Sequence, residues 1–97
     1  MATYVSLVSF TERGQHSIKN TVERASAFCE AAGQHGASVR DVYWTMGKHD
    51  GVLVFEAPDD ETATALMLAL SAQGNVRTET LRAFDAEQMK TIVGHLA

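Results

Sequence analysis

The chain has 97 residues, of which 45% are hydrophobic and 21% are charged, and its net charge is −4 at pH 7. This length allows a single domain, residues 1–97, and the composition excludes a disordered or low-complexity chain. The basic residues are scattered and form no stripe, which argues against a nucleic-acid partner.

The first predicted strand covers residues 3–10, where aromatic and β-branched residues alternate with serine. Tyr4, Val8 and Phe10 fall on one side of it, and Val5 and Leu7 fall on the other. Apolar residues on both sides are typical of a central strand that is covered on both faces.

The next predicted element is a helix that begins at Asn20, which precedes Glu23 by three residues as in a capping box. Gly33 and Gly36 are typical of its C-terminal end. Spacings of three and four predict an inward stripe of Ile18, Val22, Ala25, Cys29 and Ala32. We therefore interpret the single cysteine as a core thiol and not as a nucleophile.

Two strands, over residues 39–46 and 51–57, come next and are followed by a second helix. Asp59 or Asp60 is predicted to cap this helix, because an aspartate there accepts hydrogen bonds from free backbone amides. Gly74 ends the helix. Its predicted inward residues are Ala63, Leu66, Met67 and Leu70.

A fourth strand is predicted over residues 76–84, and Asp85 with Gln88 indicates another capping box at the start of a last helix. That helix carries Met89, Ile92, Val93 and Leu96 at helical spacing. We interpret Met46, Met67 and Met89 as core residues.

The element order β-α-β-β-α-β, followed by a C-terminal helix, predicts an α+β ferredoxin-like fold. Right-handed crossovers would place both main helices on one face of a four-stranded antiparallel sheet. The other face of the sheet would then need solvent or a second molecule to cover it.

The turn between the second and third strands fixes which residues share a face. A turn at Gly47-Lys48 provides glycine where positive φ is required and pairs Thr45 with Asp50. A competing turn at Asp50-Gly51 would change the register.

In the first register, the face under the helices collects Val42, Trp44, Met46, His49, Leu53 and Phe55. The opposite face collects Asp41, Tyr43, Thr45, Asp50, Val52, Val54 and Glu56. This second set mixes large apolar groups with carboxylates, which favours a partly covered surface such as a subunit interface with a polar pocket.

Three segments, residues 39–50, 54–61 and 74–84, together with Thr11, Gly14, Ile18 and Lys19, resemble the GYD domain family. That family is similar to the dimeric α/β barrel superfamily, so the resemblance implies ferredoxin-like protomers whose open sheet faces pack together. The Gly-Tyr-Asp signature of the family stands here as Lys48-His49-Asp50, and only the aspartate is retained.

The candidate ligand-binding residues are Tyr43, Thr45, His49, Asp50 and Glu56. Tyr43, Asp50 and Glu56 share the predicted mixed face and could orient a small polar ligand. The competing interpretation is structural, with Asp50 supporting the turn and the other polar groups satisfied across an interface. In the structural interpretation, Asp50 accepts hydrogen bonds from backbone amides or from Thr45 and Tyr43. No catalytic residue is identified.

The histidines and carboxylates lack the spacing of a metal site, and there is no nucleotide-binding glycine loop, so we expect no metal and no cofactor. We also expect no membrane partner, because no apolar run is long enough to span a bilayer. The start of the chain lacks a signal-peptide pattern, and one cysteine allows no internal disulfide. Both features favour a cytoplasmic protein.

The leading interpretation of function is a small homo-oligomeric binding or accessory module, a homodimer or a higher oligomer, with a small-molecule pocket at the sheet face. The alternative is a cofactor-independent enzyme, monooxygenase- or isomerase-like, of the dimeric α/β barrel type. The alternative rests on fold analogy alone.

Overall fold

A computed structural model describes residues 1–96. Its strands are β1 (Ala2–Phe10), β2 (Ser38–Trp44), β3 (Gly51–Ala57) and β4 (Val76–Ala83). Its helices are α1 (Glu12–His16), α2 (Thr21–Gln34), α3 (Asp60–Ala72) and α4 (Ala86–Val93), with a 3₁₀ turn over Ile18–Asn20. Within residues 1–96, no helix has both the length and the apolar character needed to cross a lipid bilayer.

The four strands form one antiparallel sheet in the order β2-β3-β1-β4. This arrangement confirms the predicted α+β class with a ferredoxin-like sheet. Burial alternates along the two central strands, β1 and β3, so that every second residue faces the helices.

The core lies between the sheet and helices α2 and α3. Tyr4 and Phe55 stack in it with ring centroids 5.3 Å apart. The helices contribute small or flexible residues to the same cluster: Ala32 from α2, and Ala63, Leu66 and Met67 from α3. The predicted inward face of α3 is therefore confirmed, with Leu70 packed at its margin.

The β2–β3 hairpin has the predicted register. Tyr43 pairs with Val52, and the amide of Thr45 donates to the carbonyl of Asp50 at 2.9 Å. Gly47 has φ of 108°, in the region that only glycine enters readily. The competing turn at Asp50-Gly51 does not form.

Two details of β2 differ from the prediction. The strand ends at Trp44, so Met46 lies in the hairpin tip and is 96% exposed, because the helices do not extend over it. A register shift between Val39 and Asp41 also interrupts the ladder, so the side-chain alternation is not uniform along β2.

The last three residues of the predicted inward stripe of α2 are buried or half-buried, as expected. Val22 is instead 64% exposed, and Phe28, which the stripe omits, packs against the core. Phe28 is the largest apolar residue of α2, and its packing sets the rotation of the helix. Asn20 occupies the N-cap position as predicted, but its side chain makes no capping hydrogen bond.

The other predicted helix caps are present. Asp59 caps α3 by accepting from the amide of Thr62 at 2.8 Å. Asp85 and Gln88 form both hydrogen bonds of the capping box of α4. Gly36, with φ of 82°, follows the end of α2 in the left-handed conformation.

Helix α4 makes few contacts with the rest of the chain, which measures 52 × 31 × 18 Å. The interpretation of Met89 as a core residue is therefore wrong for the isolated chain. The large apolar residues of α4 are all exposed, from 37% at Ile92 to 51% at Val93, and Leu96, which follows the helix, is 75% exposed.

Candidate functional site

A cavity with a volume of about 70 Å³ opens between α2 and the end of the sheet nearest the β2–β3 hairpin. We call it the α2 cavity. Its volume exceeds the space for one water several-fold, so it can hold a molecule of several non-hydrogen atoms. Its apolar lining comes from both helices and from the sheet, and includes Val8, Ala25, Phe28, Val42, Leu53 and Leu70.

Arg24 is the one basic side chain in this lining. Its Nη1 atom donates to the carbonyl oxygen of Ser17 at 2.8 Å and to the Ser17 hydroxyl at 3.1 Å. These bonds to the end of α1 hold the guanidinium in place. Its Nη2 atom is buried and has no hydrogen-bond partner within residues 1–96.

A hydrogen bond between side chains connects α2 to the hairpin beside the cavity. The Nε1 atom of Trp44 donates to the hydroxyl of Thr21 at 3.0 Å, and both residues line the cavity. This bond joins the last residue of β2 to the first residue of α2. The cavity is thus built by a single copy of the chain.

The opposite side of the cavity includes the turn between α3 and β4, which contributes Asn75 to the lining. Thr11 holds this turn, since its amide donates to the Asn75 carbonyl at 3.0 Å and its hydroxyl donates to the Gly74 carbonyl at 2.6 Å. Gly14 packs on the same turn so closely that a Cβ atom would lie 2.0 Å from the Asn75 oxygen. The absence of a side chain at Gly14 therefore allows this contact.

Asp50 joins the beginning of β3 to the end of β1. Its Oδ2 atom accepts a hydrogen bond from the amide of Phe10 at 2.8 Å, and its own amide donates to the Val8 carbonyl at 2.8 Å. The predicted backbone partner is present, but neither Thr45 nor Tyr43 donates to the carboxylate. Asp50 thus extends the β1–β3 pairing by one further step.

The structure brings together some of the residues predicted to bind a ligand. Tyr43 and Asp50 both line the α2 cavity. Thr45 and His49 lie outside it, in the hairpin, where the Thr45 hydroxyl donates to the His49 carbonyl at 2.6 Å. Glu56 lies near the far end of β3 and forms an ion pair with Arg40 at 3.0 Å.

His49 also has a polar atom without a partner. Its Nδ1 atom is buried and makes no hydrogen bond within the part of the chain that the structure describes. The side chain is half-buried and does not line either cavity.

Sequence reasoning missed Arg24, Thr21 and Phe28 as residues of the site. Arg24 lies next to Ala25 on α2, and the predicted inward stripe includes Ala25 but not Arg24. A polar residue adjoining an apolar stripe is too common on helices to indicate a cavity by itself.

A second cavity, of about 400 Å³, lies between α3 and β4. Its tyrosine and its arginine already have partners, since the Tyr4 hydroxyl donates to Asp60 and the Arg82 Nη1 atom donates to the Ala83 carbonyl at 2.7 Å. The hydrogen bond to Asp60, together with burial, raises the pKa of Tyr4 above its ordinary value. This cavity is therefore a weaker candidate than the α2 cavity.

The arrangement of the described side chains does not support a metal site. Among residues 1–96, no group of three or more histidine, cysteine, aspartate or glutamate residues is arranged to hold a metal ion.

A family model described as GYD domain matches residues 4–93. The chain belongs to the GYD domain family. No curated protein matches it. The match spans β1 through α4, so the hairpin, the α2 cavity and the open sheet face all lie inside the GYD domain.

The three residues that correspond to the Gly-Tyr-Asp segment of the sequence resemblance lie in the hairpin. Lys48, His49 and Asp50 lie between the tip of the hairpin and the start of β3. Of these three residues, only Asp50 lines the α2 cavity.

Proposed function

We propose that this GYD-domain protein is a homo-oligomeric binding module. It packs the open face of its sheet against a second copy, and it holds a small organic molecule in the α2 cavity. The observation that carries the proposal is the apolar character of the sheet face that neither α2 nor α3 covers.

The centre of the open sheet face is aliphatic. Val5 and Leu7 of β1 lie beside Val54 and Val52 of β3, in a register that pairs them directly. All four are half-buried in the isolated chain. On the neighbouring strands, Leu81 is 49% exposed and Tyr43 is 60% exposed.

Charged residues lie at the margins of this face. Asp41 on β2, and Arg77 and Glu79 on β4, belong to the two outer strands. An apolar centre with a polar rim is the usual composition of a protein interface. Monomeric proteins seldom expose a continuous apolar patch of this kind.

Helix α4 supports the same proposal independently. Its capping box defines its first turn, and yet its apolar side is exposed in the isolated chain. A second copy offers a surface against which Met89, Ile92 and Val93 can be buried. Association would thus cover two apolar surfaces at once.

The monooxygenase- or isomerase-like alternative is not proposed, because no observation within residues 1–96 favours it. The α2 cavity contains the side chains of an arginine and an aspartate, and this pair is also suited to binding alone.

The proposal predicts that a charge on the open face disrupts the oligomer. Val54→Lys would place an ammonium at the centre of the proposed interface, where burying it unpaired is costly. Val22→Lys is the matched control, since Val22 is exposed on the outer side of α2. Sedimentation equilibrium of both variants and the unmodified protein measures the effect.

The expected result is that Val54→Lys shifts the population towards monomer, while Val22→Lys keeps the mass of the unmodified protein. Circular dichroism would establish that both variants are folded. Equal association of all three proteins would show that the open sheet face is not the contact between copies.

A further inference from the structure

We propose that the α2 cavity binds a small organic carboxylate, with the carboxylate on the guanidinium of Arg24 and an apolar body between α2 and the sheet. This inference rests on the proposed function only in its use of the cavity as a binding site. It does not require the oligomer, because one copy of the chain builds the whole cavity.

The guanidinium of Arg24 is held in position but incompletely paired. Nη1 is engaged by Ser17, whereas Nη2 is buried without a partner in the described chain. A buried donor left without an acceptor is unfavourable, and a buried charge normally has a counter-charge. A ligand carboxylate in the cavity would supply the counter-charge to the guanidinium.

The carboxylate of the cavity itself does not neutralise Arg24. Asp50 lines the same cavity, but its Oδ2 atom accepts from the Phe10 amide, and no ion pair within residues 1–96 joins it to Arg24. The positive charge of Arg24 thus remains available to an anion.

The rest of the lining selects for an apolar body. Phe28 and Ala25 face the cavity from α2, and Val42, Leu53 and Val76 face it from the sheet. A phosphate or sulfate group carries more charge than a carboxylate, and Arg24 is the one cationic side chain in this lining. An aromatic or branched aliphatic acid fits both the donor and the walls.

Benzoate, benzamide and acetate test the proposal on the unmodified protein. Benzamide has the shape of benzoate without its charge, and acetate has the charge without the ring. Titrations followed by ¹⁵N-HSQC spectra should show saturable shifts for benzoate at the amides of Thr21, Arg24 and Gly51. Benzamide should bind at least about tenfold more weakly, and acetate should show no saturable shifts.

Two variants assign the recognition to Arg24 and to the cavity. Arg24→Met keeps an unbranched side chain but removes the charge, so it should abolish the preference for benzoate and leave weak benzamide binding. Ala25→Leu should weaken both ligands, because it fills the space they occupy. Lys19→Gln is the charge-matched control, since Lys19 is exposed and does not line the cavity.

The outcomes separate the carboxylate inference from the binding function. Equal affinity for benzoate and benzamide, or an undiminished preference for benzoate in Arg24→Met, would overturn the inference and leave the cavity as a binding site. Failure of both aromatic ligands to bind would overturn the inference together with the assigned cavity. If Arg24→Met does not fold, the three ligands on the unmodified protein and the Ala25→Leu variant decide the question.

Discussion

Asp59 and Asp60 are neighbours in the chain and have different partners. Asp59 precedes α3 with extended backbone and accepts from the Thr62 amide, which would otherwise lack an intrahelical partner. Asp60 instead accepts from the hydroxyl of Tyr4, a residue only 4% exposed. The first aspartate stabilises the end of a helix, and the second satisfies a buried hydroxyl.

The capping contact at Asp59 predicts a pH-dependent contribution to stability. Hydrogen bonds from the side chain and backbone of Thr62 lower the pKa of Asp59 below its ordinary value of 3.8. A lowered folded-state pKa stabilises the protein above pH 3.8, and this stabilisation is lost as the pH falls through the folded-state value. Asp59→Ala should therefore lower the melting temperature by a few degrees at pH 7.

Thermal melts from pH 7 to pH 3 measure this effect, with Glu30→Ala as a control for the loss of one exposed carboxylate. The difference between the unmodified protein and Asp59→Ala should narrow below pH 3.8. A difference that stays constant over the whole range would contradict the assigned role of the charged carboxylate.

Two glycines on helices should respond in opposite ways to alanine. Gly14→Ala would bring a Cβ atom against the Asn75 carbonyl oxygen and should destabilise the fold by about 1–3 kcal/mol. Gly33→Ala meets no atom within 4 Å and should stabilise α2 by about 0.5–1 kcal/mol. Chemical denaturation of both variants is the measurement, and equal stability of Gly14→Ala and the unmodified protein would disprove the close contact.

At the scale of elements, local signals predicted the strands, the hairpin register and the helix caps well. Gly47 fixed the turn, and Asp59 and Asp85 marked helix starts, because each acts within a few residues of its own position. The rotation of α2 was predicted less well, since it depends on how Phe28 packs against strands distant in sequence. Periodicity alone cannot distinguish two adjacent stripes on one helix.

The partner of Asp50 illustrates the same limit. The sequence predicted a carboxylate bonded to backbone amides, but the donor is Phe10, 40 residues earlier in the chain. Only the pairing of β1 with β3 brings these residues together.

This bond predicts a difference between two substitutions of Asp50. Asp50→Asn keeps an acceptor for the Phe10 amide and should remain close to the unmodified protein in stability. Asp50→Ala leaves that amide unpaired and should cost about 1–3 kcal/mol. Amide exchange at Phe10 should accelerate in Asp50→Ala only, and an unchanged rate there would contradict the proposed anchoring of β1 to β3.

At the scale of the whole molecule, the fold was predictable and the α2 cavity was not. The cavity combines Arg24 of α2, Asp50 before β3 and Asn75 before β4, which no single motif contains. The position of its guanidinium depends on Ser17, which accepts from the Nη1 atom and leaves the buried Nη2 atom unpaired. Such a site follows from the packing of distant elements and leaves little trace in local sequence.

Under our proposal, one copy of the chain leaves two apolar surfaces uncovered. The helices cover one face of the sheet, the other face retains an aliphatic centre, and α4 exposes its apolar side. A chain of 97 residues buries a limited share of its surface in its own core, so covering these two surfaces would add to its stability.

The most direct test of the account is the mass of the unmodified protein in solution, measured by light scattering coupled to size-exclusion chromatography at micromolar concentration. The account predicts a mass at least twice the 10.5 kDa of one chain. A folded protein that elutes as a 10.5 kDa monomer throughout this concentration range would contradict it.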